Sequence, residues 1–457
     1  MKASHAFSVV SQSFDEPNLV SHGGLLNAAV LTERIGLWAL VAGALTVPGP
    51  TGVNSAAKTA TVLAGMLSGA DSIDDLDVLR AGGTPALFDD LRAPSTIGSW
   101  LRAFTHGNVR QLDAVSRQVR CRLWAAGAGP HRLDERLFID ADSTIAQAYG
   151  PAKQGVSFGY TKVRGYHPLI ATVLEPGSTP EVLHTRLREG KANTARGASS
   201  FIAEAISRAR AAGSTGELIV RLDGGFYNAK VIATCQRADA RFSVTCRNDS
   251  KIRAALSAIK DTAWTAIPYW SSHVDPDTGE TIESHADVAE TSYTAFAGST
   301  RPVTARLIVR RVRRLRPRDG QLELDTDLWR HHTVLTDRPE PLLTVEAEHR
   351  AHAVIETVIA DLKNSAMAHL PSGDFNANAA WLALAALAHN LTRALATLAG
   401  HGLHHATTAT IRRTLIAVPA RLVRSARKRH LRLPEHWPWQ TALTWCRRRI
   451  DAIPMLT

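Results

Sequence analysis

The chain has 457 residues, 45% of them hydrophobic and 21% charged, which is apolar material for roughly two to four packed domains and rules out a disordered tail or a mini-protein. Its 53 Lys and Arg against 42 Asp and Glu give a formal charge of +11, pointing first to a nucleic-acid partner and second to an anionic membrane surface. The four cysteines, Cys121, Cys235, Cys246 and Cys446, form no Cys-x-x-Cys pair, and the apolar run Ile35 to Val47 falls short of the ~20 residues that span a bilayer. These features argue against a disulfide framework, a cysteine zinc site and a membrane span, and a reducing cytoplasm is expected.

Residues 1–130 read as an all-helical N-terminal domain, with helical spacing in Ala60 to Leu67 and Ile97 to Phe104 and a break at Gly82-Gly83. Ser95 or Thr96 is an expected N-cap for a short helix carrying Trp100, Leu101 and Arg102, either the recognition helix of a helix-turn-helix or an ordinary amphipathic helix. From residue 131 the texture turns to α/β. Leu137 to Ile139, Val156 to Val163 and Leu169 to Leu174 read as three successive strands, Ser199 to Ala212 as a helix, Glu217 to Leu222 as a strand, Asn228 to Cys235 as a helix and Arg241 to Cys246 as a fifth strand. The prediction is a mixed five-stranded sheet over residues 131–247.

Residues 248–345 read as a β-rich insertion with strand-like runs at Val303 to Val312 and Thr333 to Leu335. Helical texture returns over 346–400, where His389, Asn390 and Arg393 interrupt an apolar stretch and mark a buried bundle helix rather than a membrane span. The tail, 401–457, reads as basic and helical. His401, His404 and His405 lack a Cys or carboxylate at ligand spacing, so a loop or cap is expected there rather than zinc. The basicity is local. Residues 301–318 hold eight Arg and no acid, and 401–457 hold ten Arg and one Lys against Glu435 and Asp451. Arg310, Arg311, Arg313 and Arg314 in the first patch and Arg424, Arg427 and Lys428 in the second are the expected phosphate contacts, facing one DNA channel.

Two carboxylates close apolar strands: Asp142 ends Leu137 to Ala141, and Asp223 ends Ile219 to Leu222 ahead of Gly224-Gly225. Strand ends hold a side chain rigidly, although an acid there also serves as a simple turn cap. His349, His352, Glu356 and Lys363 follow at spacings of three, four and seven, which place them on one face of a predicted helix from Glu346 to Leu362. Three converging carboxylates suit two divalent metal ions of the Mg2+ or Mn2+ type, because such ions prefer hard oxygen ligands and leave positions open for phosphate and water.

The segments Phe138-Ile139-Asp140-Ala141-Asp142-Ser143-Thr144, Gly165-Tyr166-His167-Pro168-Leu169, Leu187-Arg188-Glu189-Gly190-Lys191-Ala192-Asn193 and Arg221-Leu222-Asp223-Gly224-Gly225-Phe226, in that order, resemble the DDE transposases of bacterial insertion sequences, specifically insertion-sequence family 1380. The resemblance runs from about residue 15 to the end. It implies a ribonuclease H-like core interrupted by a β-rich insertion, with Asp142, Asp223 and Glu356 as the metal-holding catalytic triad and Asp140 as a rival for the first position. It also implies cleavage of inverted-repeat ends and strand transfer into target DNA by a homodimer on paired duplex ends. The wider superfamily carries Tyr, Arg, Glu and Lys where this chain has His349, His352, Glu356 and Lys363, so it departs at the two histidines, which stay candidate phosphate donors beside Lys363. Related enzymes stack an aromatic of the insertion on a flipped base, a role open to Trp264, Trp270 and Trp329, each of which also suits a β-module core. The rival functions are a metal-dependent nuclease of the same fold and an inactive copy that only binds DNA.

Overall fold

The helical periodicity of the N-terminal region becomes α1 (Leu25–Arg34), α2 (Leu37–Ala44), α3 (Ser55–Ser68), α4 (Pro94–Arg102) and α5 (His106–Ala125), preceded by a two-residue strand β1 (Leu19–Val20). The computed structural model describes residues 10–150, 152–159, 162–269, 272–274, 281–283, 285–313 and 329–456. Helix α4 starts at Pro94 with Ala93 at its N-cap, so Ser95 and Thr96 lie inside the first turn. Trp100 and Leu101 are fully buried, and the Trp100 indole donates to Ser55 Oγ at 3.2 Å. Of the residues read as a recognition surface, only Arg102 faces solvent. The better-capped helix is α5, where Thr105 and Asn108 exchange side-chain and backbone hydrogen bonds in a capping box.

The α/β region follows as β2 (Leu137–Ser143), β3 (Leu169–Leu174), β4 (Glu181–Arg186), helix α6 (Ala198–Ala211), β5 (Leu218–Leu222), helix α7 (Ala229–Arg237) and β6 (Arg241–Thr245), with α8 (Ser250–Ser257) beyond. The third strand is β4, not Val156 to Val163. Among the described residues of that run only Ser157–Phe158 is a strand, in a small sheet with Ala146–Gln147 and Arg164–Tyr166. The insertion contributes β7 (Thr265–Ile267), β8 (Ala286–Ala295), β9 (Val303–Arg313) and β10 (Trp329–Thr336).

The expected five-stranded sheet is larger. Among the described residues nine strands join in the order β7-β8-β9-β10-β6-β5-β2-β3-β4, with β2, β5 and β6 parallel and every other pair antiparallel. The insertion thus continues the core sheet, because β10 pairs with β6 through Thr336 opposite Ser243 and Val334 opposite Thr245. Without it β6 would present an unpaired edge.

After β10 come α9 (Leu342–Arg350), α10 (Val354–Lys363) and α11 (Phe375–Ala399). The single helix expected from Glu346 to Leu362 is broken by a 3-10 turn at Ala351–Ala353. Helix α11 is long and apolar enough to cross a membrane, yet 94% of its apolar window is buried inside the protein. It packs on α3, α4 and α5, on β4 and on the C-terminal helix α12 (Gln440–Asp451), forming one continuous core. Its Asn390 amide accepts from Val182 N at 2.9 Å and donates to Val182 O at 2.7 Å, closing the free edge of β4.

The tail is not helical throughout. Ala420–Ser425 (β11) and Lys428–Arg432 (β12) form a hairpin whose first strand pairs with β1. Arg424, Arg427 and Lys428 therefore sit on a β-ribbon, where alternation rather than a 3.6-residue period decides which side chains share a face.

Candidate active site

Alternation along β2 puts Phe138, Asp140 and Asp142 on one face of the sheet and Leu137, Ile139 and Ala141 on the other. Cross-strand register extends the polar face into a buried row: Thr172, Asp140, Arg221, Ser243 and Thr336 are successive neighbours across five strands. Its centre is a bidentate ion pair, with Arg221 Nε and Nη2 each 2.6 Å from a carboxylate oxygen of Asp140, at 1% and 0% side-chain exposure. Arg221 also donates to Glu348 O at 2.5 Å, and its guanidinium lies 4.1 Å from the centroid of the Phe138 ring. Asp140 is thereby occupied in a buried structural ion pair.

The histidines explain the break between α9 and α10. His349 reaches the sheet, with Nδ1 2.9 Å from Ser243 Oγ and Nε2 3.0 Å from Thr245 Oγ1. Burial, reinforced by His352 and Arg221, holds its pKa well below the usual range, so the ring is neutral. His352 Nδ1 lies 3.2 Å from Asp140 Oδ1, on the rim of the same cluster. Two ring anchors one turn apart pull the chain toward the sheet, where a continuous helix would carry them past it.

One step along the strands lies the second row. Asp142 and Asp223 follow the last registered pair, Ala141 opposite Leu222, on adjacent parallel strands, and Thr245 occupies the matching place on β6. Ser143 N donates to Asp142 Oδ1 at 2.6 Å. Asp223 caps the turn Gly224–Phe226 by accepting from Gly225 N at 3.1 Å. A Cβ on Gly225 would lie 3.0 Å from Thr194 Cγ2, so the turn passes close against the facing loop. Glu356 occupies the first turn of α10, exposed, while Ile355, Val358, Ile359 and Leu362 bury the other side.

Asp142 senses both of the other acids. Burial, then the charge of Asp223 and to a smaller extent that of Glu356, push the Asp142 carboxyl up to about 6, against the pull of Ser143 N and His352. Burial also raises Asp223. Lys363, at the end of α10, is lowered by burial and opposed in this by Asp142. The motifs without an assigned chemistry are scaffold. Arg188 donates to His167 O at 3.0 Å and to Asn193 O at 2.8 Å, His167 Nδ1 lies 2.7 Å from Ala192 O, and Ser143 Oγ meets Thr194 Oγ1 at 3.1 Å. These bonds fix the 189–196 loop against the strand end that carries Asp142.

Residues 3–455 match the family model described as Transposase DDE domain group 1. The chain belongs to the DDE transposases. No curated protein matches it. Membership implies an enzyme acting on DNA.

Elsewhere in this DDE transposase the remaining expected site residues separate. Arg310 is spent on Glu346 at 2.6 Å, and Arg311 on Asp287 at 2.8 Å. Arg311 is also stacked between Trp264 and Trp329, 4.2 and 4.5 Å from the two ring centroids. The two tryptophans thus hold an arginine between them. Arg313 ends β9, while Arg314 and Trp270 lie outside the described residues. Arg424, Arg427 and Lys428 are exposed on the tail hairpin, and His404 and His405 form a one-turn 3-10 helix.

A second acidic group lies away from the triad. Asp113, His184 and Glu204 are, among the described residues, the one His/Asp/Glu cluster compact enough to hold a metal, with ligand atoms within 4.8 Å of one another. They lie on the opposite face of the sheet from Asp142, since His184 is in register with Ala171 and Ala171 with Ala141. Arginines already fill the group: Arg110 contacts both acids at 3.1 and 2.9 Å, Arg208 lies 3.1 Å from Asp113 and Arg186 lies 2.8 Å from Glu204. A divalent cation there would face three guanidinium charges, so the cluster is an ion-pair network joining α5, β4 and α6.

Proposed function

We propose that this DDE transposase is the enzyme of an insertion sequence of family 1380 that binds the inverted-repeat ends of its own element, cuts them and joins the freed 3′ hydroxyl to target DNA. The observation that supports the reading is that Asp142 and Asp223 follow the last registered pair of two adjacent parallel strands and that the Asp142 carboxyl feels the charge of both Asp223 and the helix-borne Glu356. Three antiparallel strands leading through helical crossovers into two parallel ones support a ribonuclease H-like core. The donor set fits divalent metal. It is all oxygen, and a carboxyl whose proton affinity is raised by burial and by like charge gains most from a cation.

Asp142, Asp223 and Glu356 would hold the ions, Mg2+ or Mn2+. Such ions supply Lewis acidity for in-line transfer at phosphorus. The rest falls to the chain. The Asp140–Arg221 pair fixes the separation of the two aspartate-bearing strands, the Arg188 and His167 bonds hold the facing loop, and Lys363 offers a cation to the scissile phosphate. The N-terminal helical domain would read the ends, a homodimer would pair them, and the reaction would take place in the cytoplasm. The test is incubation with Mg2+ and a duplex carrying the inverted repeat that flanks the gene. Cleavage by the wild type that falls about 100-fold or more in Asp142→Asn is expected. Equal cleavage by the variant overturns the reading, and 3′-end joining products distinguish a transposase from a nuclease.

A further inference from the structure

The tail hairpin has a construction that its role as a C-terminal connector does not explain. Its base is fixed: Leu422 and Ala420 are buried with Val20, and Leu431 packs beside Ala86 and Leu87. Beyond the base its side chains are exposed among the described residues. Register sets Arg421 opposite Arg432, Arg424 opposite Arg429 and Ser425 opposite Lys428, so like charges face each other across the ribbon, an arrangement that costs stability in a free hairpin. Arg421 pairs with Glu16 and Arg429 donates to Ala86 O, but Arg424, Arg427, Lys428 and Arg432 have no partner among the described residues. No acidic residue occurs between Asp374 and Glu435.

The tip is strained as well as charged. The two-residue loop is Ala426-Arg427, with φ of 47° and 66°. Both central residues at positive φ is the type I′ pattern, for which Asn-Gly is the low-energy choice. Here a side chain with a Cβ is held in the left-handed region twice, and the second is an arginine at the apex. A protein that keeps repulsion along a ribbon and strain at its tip has placed cations where a polyanion must meet them.

We infer that the hairpin Ala420–Arg432 is a DNA-contacting β-ribbon that lies in the major groove of duplex DNA, with Arg427 and Lys428 at its tip and Arg424 on its flank reaching the phosphates. A two-stranded ribbon matches the width of the major groove, about 12 Å, and exceeds that of the minor groove, about 6 Å. The choice of DNA over another polyanion rests on the function proposed above. The ribbon is separate from the acidic triad in both sequence and sheet, being paired to β1 rather than to the nine-stranded sheet.

The experiment uses the full chain and a fluorescent duplex bearing the flanking inverted repeat, titrated across salt concentrations. The triple variant Arg424→Gln/Arg427→Gln/Lys428→Gln is expected to lower the slope of log K against log salt by about 2 to 3, at about 0.9 for each phosphate that is no longer neutralised. Bulky glucosylation of cytosines in the major groove is expected to weaken wild-type binding and leave the triple variant less affected, whereas a minor-groove ligand leaves the difference between the two proteins intact. The variant Ala426→Asn/Arg427→Gly separates DNA contact from structure. It relaxes the turn, so its thermal midpoint rises while its affinity for DNA falls, and a purely structural hairpin would show the rise alone. An unchanged salt slope, or a wild type that the minor-groove ligand displaces more strongly than the triple variant, overturns the inference while leaving the cleavage proposal standing. A hairpin-dependent slope in a protein that binds but never cleaves overturns the cleavage proposal alone, and a wild type that binds no duplex overturns both.

Discussion

Replacing Asp140 by Asn removes the countercharge of a guanidinium that has nowhere else to go. Arg221 is 1% exposed, both of its carboxylate contacts are 2.6 Å, and its neighbours across the sheet are Asp140 itself and Ser243, so no solvent compensates the charge left behind. Breaking a buried pair at one end costs about 3 to 5 kcal/mol, a factor of about 10² to 10⁴ in the folded-to-unfolded ratio. The bond to Glu348 O and the Phe138 ring remain and offset little of this, since a cation-π contact contributes about 0.5 to 2 kcal/mol and is already present in the wild type. Removing both charges together, as Asp140→Leu/Arg221→Met, is expected to lie within about 2 kcal/mol of the wild type, because the double variant has no uncompensated ion. Equilibrium unfolding in urea of the wild type, Asp140→Asn, Arg221→Met and the double variant measures the four corners of the cycle. An Asp140→Asn loss below about 1 kcal/mol, or a double variant as unstable as the sum of the singles, would refute the assignment of Asp140 as a structural acid.

Asp142→Asn is expected to act in the opposite direction on the metal-free protein. The folded carboxyl is raised from 3.8 to about 6, so the folded state binds the proton more tightly; the wild type is penalised above pH 6, and the penalty fades as pH falls toward 3.8. The variant should gain about 1 to 3 kcal/mol in chelator at pH 7 and nothing near pH 4, read by denaturant melts at both values. His184 carries the reverse dependence. Burial holds it down to about 4 from 6.5, so the unfolded chain takes up a proton that the folded one refuses, and stability falls as pH drops through that window by up to about 3 kcal/mol; a His184→Leu variant with an equally steep profile would contradict this. Asn390→Leu should cost about 1 to 3 kcal/mol and speed hydrogen exchange at Val182, because Val182 N loses its partner while Val182 O keeps the Arg120 guanidinium at 2.8 Å; unchanged protection at Val182 would count against the edge-closing role.

The two aspartates are legible in the sequence because each terminates an uninterrupted apolar strand, and Glu356 because α10 keeps a clean apolar stripe opposite it. Strand β4 is not, since Glu-Val-Leu-His-Thr-Arg shows neither an apolar run nor a clean polar face. Its polar residues are buried by partners remote in sequence, Glu181 by Trp124 and His184 by Glu204. The break at Ala351–Ala353 carries no Gly or Pro, because its cause is the pull of Ser243, Thr245 and Asp140 on two histidines. The tail hairpin reads as helix in the sequence for a related reason. Arg424, Arg427 and Lys428 recur at intervals that suit a helix, and the turn uses Ala-Arg in place of the Asn-Gly that would announce it. Long-range partners thus hide the strand and the helix break, and an atypical turn hides the hairpin, while local pattern suffices for the strand ends that carry Asp142 and Asp223.

The single nine-stranded sheet turns the insertion into a ruler. Backbone ladders have no hinge, and neighbouring strands sit about 4.8 Å apart, so β9 lies about 14 Å from β5, three spacings away, whatever the loops between them do. Anything gripped by the inserted strands is held at a set offset from Asp223, a little over four base-pair steps if it is a duplex running across the sheet, at about 3.4 Å per step. The distance between where such a substrate is held and where it is cut would then be encoded in the number of strands, and lengthening a surface loop would leave it untouched.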